Sequence, residues 1–202
     1  VDVDSLVVGI TGNIGVGKST VLKLLAAKGA SIIDMDQITR QALHSAGPGY
    51  LPVVEAFGRG ILQASGEIDR SRLGRIVFGD AARLAALEGI LHPIVFEMVK
   101  TELAQRKDPL VAIEAVKLLE AGTTRRLCDQ IWVVTAAPEA RLQRLIEQRG
   151  MHEADVRRRM AQQTSEAWKV AQADRVIANS GTERELALQI DRIWAAVVGA
   201  AA

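Results

Sequence analysis

A doubly wound α/β fold with a parallel sheet of about five strands, an inserted helical subdomain and an arginine-rich helical lid is the class this 202-residue sequence predicts. Three observations carry that reading. Short apolar runs alternate with amphipathic stretches, the pattern of strands linked by crossover helices. The bend "GNIGVGKST", Gly12 to Thr20, joins the first such pair. The stretch from Val53 to Arg106 reads as helix almost throughout, with no convincing strand.

The elements follow in order. Leu6–Thr11 is an apolar run expected as the first, buried strand, and "KSTVLKLLAAK" is a helix turning Val21, Leu22 and Leu25 inward. Gly29 stops it, and Ala30 to Ile33 form a second strand. "DMDQITRQAL" then starts helical, with Asp34 or Asp36 able to cap it, before the breaker-rich loop "HSAGPGYLP". In the helical stretch, "LPVVEAF", "SRLGRIVF", "DAARLAALEGIL" and "PIVFEMVKTELAQR" are separate helices, Pro93 opening the last. His92 precedes that proline, which pushes its backbone toward extended conformations and favours packing or capping for its ring. "PLVAIEAV" and "QIWVVTA" resume the sheet, "PEARLQRLIEQRG" and "EADVRRRMAQQ" are helices, and "DRVIANSG" is a last strand and turn. Thr182 and Glu185 match a capping box opening the final helix, whose Leu186, Ile190, Ile193 and Val197 recur at helical spacing. Trp132, Trp168 and Trp194 are expected to fill the core or cover its edge.

Gly12, Gly17, Lys18 and Ser19 satisfy G-x-x-x-x-G-K-[ST], the phosphate-binding loop, between a strand and a helix as that motif requires. Residues Gly12, Asn13, Ile14, Gly15, Val16, Gly17, Lys18, Ser19 and Thr20 would wrap an anion with backbone N–H groups. The helix N-terminus adds partial positive charge, Lys18 reaches the outer phosphates, and Ser19 offers its hydroxyl to Mg²⁺.

Composition excludes several other classes. The 25 Lys+Arg balance 24 Asp+Glu, and the aromatics are three Trp, three Phe and one Tyr, a poor profile for a nucleic-acid binder. The single cysteine, Cys128, forms no internal disulfide or cysteine metal cluster, and an idle thiol is expected. His44, His92 and His152 show no metal spacing. The start "VDVDSL" lacks a signal peptide's basic flank, and "IWAAVVGAAA" is too short to span a bilayer. A cytoplasmic protein without a membrane, nucleic-acid or obligate protein partner is expected.

Asp34 and Asp36 stand at the C-terminal end of the second strand, the edge where ligands of open α/β sheets bind. One aspartate suffices as a cap, leaving the other to orient or deprotonate an attacking hydroxyl or help hold Mg²⁺. Arg141 and Arg144, at i and i+3, share a helix face; with Arg149, Arg157, Arg158 and Arg159 they would form a lid over phosphates. The competing account is a solvated face balanced by Glu139, Glu147, Glu153 and Asp155.

From Val8 to about Trp194 the sequence resembles the dephospho-CoA kinases. The resemblance rests on "GITGNIGVGKST", "IIDMDQITRQ", "GEIDRSRLGRIVF", "ILHPIV", "LQRLIEQRGM", "RRRMAQQ" and "ADRVIANSG". It implies a nucleotide-binding core of residues 1–36, 107–138 and 174–202, an acceptor-binding helical subdomain of 37–106, and a lid of 139–173. It implies ATP as donor with Mg²⁺, and dephospho-CoA as an acceptor whose ribose 3′-hydroxyl attacks the γ-phosphate. Carried over, Asp36 resembles the family's base, with Asp34 beside it, and Arg144 a lid-side arginine on the transferring phosphate. Asp34, Arg40 and His92 are placed toward the acceptor, and Asn179 and Gly181 in the turn near the adenine; Lys117 joins the acceptor-side candidates by its place at the edge where the loop and Asp36 emerge, not by a family match.

Two positions depart from the family pattern. Val116 and Lys117 stand where proline and leucine are usual, although Glu120 keeps the final acid; Gln148 stands where many relatives have arginine, followed by Arg149. Lys117, three residues from both Glu114 and Glu120, is expected to pair with one of them on the surface of a short helix. Two alternatives to the family reading are another small nucleoside or nucleotide kinase and a regulatory nucleotide switch. The switch would need the guanine-selecting Asn-Lys-x-Asp, which does not occur.

Overall fold

The computed structural model describes residues 5–121 and 123–199. Val1–Asp4, most of the acidic start, and Ala200–Ala202, the end of the apolar C-terminal run, lie outside them. The described chain divides into two compact units, one containing residues up to Ile33 together with those from Arg106 onward, the other Asp34–Gln105.

The first unit is built on a sheet. Strands β1 (Leu6–Thr11), β2 (Ser31–Asp34), β3 (Leu110–Glu114), β4 (Gln130–Thr135) and β5 (Arg175–Ala178) lie in the order β2-β3-β1-β4-β5. The pairings β1–β3, β1–β4 and β4–β5 are parallel. Strand β1 is therefore central, which explains why it is apolar along its length rather than alternating. Helices α1 (Lys18–Ala27) and α10 (Glu183–Val197) pack against one another over one face. They close a core of Val8, Ile10, Val21, Leu25, Trp132, Ile177, Leu186 and Ile190. The expected capping box is present: Glu185 N donates to Thr182 Oγ1, and Thr182 N to the Glu185 carboxylate at 2.7 Å. Gly150, left-handed at φ 61°, ends α7 (Pro138–Arg149), as its place after "EQR" predicts. Helix α8 (Glu153–Ala161) follows, then α9 (Glu166–Val170), a short helix that sequence reading passes over. Strand β3 ends two residues before the predicted Val116, and the chain turns into α6 (Leu118–Ala121).

The second unit is helical. Helix α2 (Met35–Ala42) is capped by Asp34, whose carboxylate accepts from Gln37 N at 3.0 Å. Helices α3 (Tyr50–Phe57) and α4 (Arg70–Phe78) surround buried Val53, Ile61, Leu73, Val77 and Leu91. The loop expected to run through Pro52 stops earlier, because α3 takes Pro52 into its first turn, where its missing N–H is harmless. The larger correction is α5, one helix from Ala81 to Ala104 with Pro93 inside it. His92 is thus helical rather than extended. The bond Pro93 cannot donate would fall on exposed Gly89, and burial of Leu91, Val95 and Val99 on both sides of the proline outweighs that loss.

Trp132 is fully buried and Trp194 packs at the core edge, while Trp168 on α9 is 42% exposed. Among the described residues no helix is long and apolar enough to cross a membrane.

Candidate active site

The site grows from the turn between β1 and α1. Gly12, Gly15 and Gly17 all have positive φ, and at each a side chain would also meet a neighbouring element, at Gly12 the Val134 carbonyl. At Gly17, with φ 87°, a Cβ would strike the Asn179 side-chain nitrogen. At Gly15, with φ 79°, it would stand 3.0 Å from the Arg141 carbonyl. The glycines thus serve both the backbone curve and the close approach of neighbouring elements.

Those neighbours hold the loop at several points. Asn179, just past β5 and buried, donates through Nδ2 to Val16 O at 2.8 Å. Arg144 Nη2 donates to Asn179 O at 2.7 Å, and Arg141 Nε to Ile14 O at 2.9 Å. The i, i+3 arginines of α7 therefore face the loop together, as their spacing predicts. Burial lowers the Arg141 pKa, opposed by the nearby Glu166 carboxylate. The second guanidinium nitrogen of Arg144, Nη1, is buried without a hydrogen-bond partner, beside the Gly17 position. Between α8 and α9, Gln163 Oε1 accepts from Ile14 N at 2.9 Å, and Thr164 O accepts from Asn13 Nδ2 at 3.0 Å.

Lys18 turns back over the loop, donating to Gly12 O at 3.1 Å and lying 3.4 Å from the Glu114 carboxylate at the end of β3. Burial pulls its pKa below the ordinary lysine value; Glu114 pushes it up, while Lys169 and Arg149 lower it further. Ser19 is exposed at the first turn of α1. Gly181 is exposed, and Ser180 beside it accepts from Ala137 N at 2.9 Å.

In the helical unit Asp34, the cap of α2, lies 3.8 Å from Arg40, while Asp36 is exposed in the helix's first turn. His92 is half-buried on α5. The same unit carries a groove of about 600 Å³ lined by Ile38, Gln41, Pro93, Ile94 and Met98 among others. Asp34, Asp36, Arg40 and His92 thus belong to one unit, and the loop with Arg144, Asn179 and Lys117, the remaining acceptor-side candidate, to the other.

Three outcomes depart from or extend the sequence reading. Lys117 is exposed but pairs with neither expected acid: Glu114 meets Lys18, and Glu120 meets Lys169 at 2.9 Å. Arg157 and Arg158 pair at the surface with Glu153 and Asp155 in the same helix, as the solvated-face account requires. Glu114, Gln163, Thr164 and Lys169 are contacts the sequence reading missed. Only Glu114 carried a signal, as an acid ending a strand beside the one that feeds the loop.

A parallel sheet whose central strand feeds a glycine loop and helix, with a lysine and arginines gathered on that loop, defines a phosphate-loop kinase. The sequence matches the dephospho-CoA kinase family over residues 6–185. A dephospho-CoA kinase of Streptomyces avermitilis is 43% identical over 96% of this chain and 94% of its own length. One from Geobacter sulfurreducens is 38% identical over 94% of this chain and 97% of its own. A crystal structure of a Thermus thermophilus protein superposes with a TM-score of 0.82 at 31% identity, covering 96% of this chain and 98% of that one. The chain belongs to the dephospho-CoA kinase family. It is an enzyme, and its chemistry is phosphoryl transfer.

Proposed function

We propose the following division of labour for the family's reaction, in which the γ-phosphate of ATP passes to the 3′-hydroxyl of dephospho-CoA, giving CoA and ADP. The observation that carries it is the arrangement around Gly17. A loop of positive-φ glycines leads into a helix N-terminus, with buried Lys18 and the unpartnered Arg144 Nη1 beside it. A buried N–H group without a partner costs about 1–3 kcal/mol, and an anionic oxygen at the loop would relieve that cost for Arg144 Nη1. The loop backbone and Arg144 are held in place before the substrate arrives, so these donors act on charge that develops during transfer with little reorganisation.

In this reading the loop from Gly12 to Thr20 holds the donor's phosphates through its backbone N–H groups, that of Ile14 excepted because Gln163 occupies it. Lys18 leaves Gly12 O and follows the transferring group, and Arg144 Nη1 binds its equatorial oxygens. Asn179 and Gly181 border the adenine. The helical unit, residues 37–106, binds the acceptor: Asp36 takes or orients the proton of the attacking hydroxyl, and Arg40 and His92 face the acceptor's charged groups. Asp34 fixes the start of α2 and with it the aim of Asp36. The segment 139–173 acts as the lid.

Mg²⁺ fits this site. Among the described residues no group of three His, Cys, Asp or Glu side chains could hold a metal. Mg²⁺ prefers few protein ligands and keeps water and phosphate oxygens around it, so one exposed hydroxyl, Ser19, is a suitable contribution. It would neutralise charge on the phosphates when bound. A cytoplasmic location, with no nucleic-acid, membrane or obligate protein partner, completes the reading.

A coupled assay of ADP release against dephospho-CoA, AMP, nucleosides and other hydroxyl acceptors tests it. Dephospho-CoA should be strongly preferred, with turnover dependent on Mg²⁺. Better turnover of AMP or a nucleoside would reject the assignment.

A further inference from the structure

Lys169, on the short helix α9, is 1% exposed and is not part of the phosphate loop. A buried ammonium persists only where its charge and its N–H groups are met. Here Nζ donates to Val116 O at 2.9 Å and lies 2.9 Å from Glu120 Oε1. Glu120 in turn has its pKa held below the ordinary value; desolvation works against this, and bonding to Lys169 is the largest effect in favour.

Val116 lies in the turn that follows Glu114, and that turn is held from two sides. From β1, Thr11 Oγ1 donates to the same Val116 carbonyl at 3.1 Å, and Ile10 O accepts from Ala115 N at 3.2 Å. From α9 comes Lys169. The segment leading into α9 also reaches the phosphate loop, through Gln163 to Ile14 and Thr164 to Asn13. Lys169 therefore closes a ring of contacts: loop, β1 end, turn after β3, α9, and back to the loop. On that ring the one carboxylate facing Lys18 in an ion pair is Glu114.

We infer that Lys169 is a positioning residue for Lys18: by holding Val116 and Glu120 it fixes the turn after β3, so that Glu114 stays against the loop lysine. The inference rests on the phosphoryl-transfer reading. Lysine suits the task because a compact ammonium can serve a carbonyl and a carboxylate in different directions. With Lys169 gone, the Val116 carbonyl keeps Thr11 and Glu120 keeps its bond to the Thr164 side chain, but the ammonium that ties both to α9 is lost, and the turn gains freedom where Glu114 begins.

The test uses the full chain with Lys169→Met, Lys169→Arg and Glu114→Gln, assayed well below each variant's melting temperature. Lys169→Met should lower kcat about tenfold while KM for dephospho-CoA stays within about twofold, and Lys169→Arg should recover most of the loss. Adding Lys169→Met to Glu114→Gln should lower kcat little further, because both act through one contact. Unchanged kcat in fully folded Lys169→Met, or full additivity with Glu114→Gln, would overturn the inference. A second readout needs no acceptor: in ¹³C-lysine-labelled protein, the side-chain resonance of Lys18 should move in Lys169→Met, and by much less when Lys169→Met is added to Glu114→Gln, whereas a direct effect of the lost Lys169 charge would persist there. An unmoved resonance also overturns it. Wild-type turnover of dephospho-CoA, measured alongside, judges the functional reading separately.

Discussion

The side-chain amide of Asn179 donates to Val16 O at 2.8 Å, while its own backbone carbonyl accepts Arg144 Nη2 at 2.7 Å. One residue after β5 thereby fixes both the back of the phosphate loop and an arginine aimed at it. Asn179→Ala leaves the Val16 carbonyl without that donor in a buried setting. A stability loss of about 1–3 kcal/mol is expected in urea melts. KM for ATP should rise, because the loop loses its brace. Gly17→Ala should be harsher: its Cβ meets both a left-handed φ and the Asn179 amide, so turnover should fall by orders of magnitude.

Lys18 is predicted to serve activity against stability. Burial lowers its pKa more than Glu114 raises it. Between the lowered folded value and the ordinary unfolded one, the unfolded chain holds more protons, so stability rises with pH across that window. Below the window the buried ammonium is a steady burden on the fold. Lys18→Met should therefore abolish turnover at neutral pH without lowering the melting temperature. Wild type should gain on the variant as pH rises through the window. On its alkaline side, kcat/KM for ATP should decline at a pH below that of an ordinary lysine.

The two acids of α2 should separate by phenotype. Asp34 caps the helix through Gln37 N, so Asp34→Ala should cost about 1 kcal/mol of stability in the helical unit. Asp36 is exposed and caps nothing, so Asp36→Asn should leave melting unchanged and reduce kcat while ATP binding survives. Equal turnover of Asp36→Asn and wild type would remove it from the mechanism.

Cys128 should be inert. Burial pushes its thiol up to about 12, with Arg125 only partly opposing and Asp129 adding to the rise. The thiolate is thus scarce at pH 8, and thiol reagents should label native protein far more slowly than urea-unfolded protein. Cys128→Ala should retain full activity.

The sheet and loop were legible because their signals are local. Leu6–Thr11 has no polar side chain before its final threonine, Gly150 and Thr182 mark helix ends chemically, and the loop glycines stand at fixed spacing. What was not legible depends on residues distant in sequence. Pro93 reads as a helix start until Leu91 and Val99 are seen buried on either side of it. Lys169 looks like any surface lysine until its partners, 53 residues upstream at Val116 and at Glu120, enclose it. Glu120 could be matched to a family acid, but nothing in its neighbours names Lys169 as its partner. Local pattern predicted Lys117 instead, and tertiary packing gave both acids to other lysines.

That leaves Lys117 exposed, without an ion pair among the described residues. It follows Val116, whose carbonyl is fixed by Thr11 and Lys169, so its backbone is anchored although its side chain is in water. A surface pair would have contributed about 0–1 kcal/mol and left catalysis alone. With Glu114 and Glu120 engaged elsewhere, that account of the lysine fails. We propose that this unpaired ammonium, on an anchored turn at the end of the strand that carries Glu114, attracts the anionic acceptor. Dephospho-CoA carries a pyrophosphate, and a flexible point charge can follow it without demanding bidentate geometry. Lys117→Leu should raise KM for dephospho-CoA severalfold, flatten its dependence on salt, and leave KM for ATP unchanged. Melting temperature should not fall, since the exposed side chain makes no ion pair to lose. If acceptor KM and its salt response both match wild type, the lysine plays no part in binding.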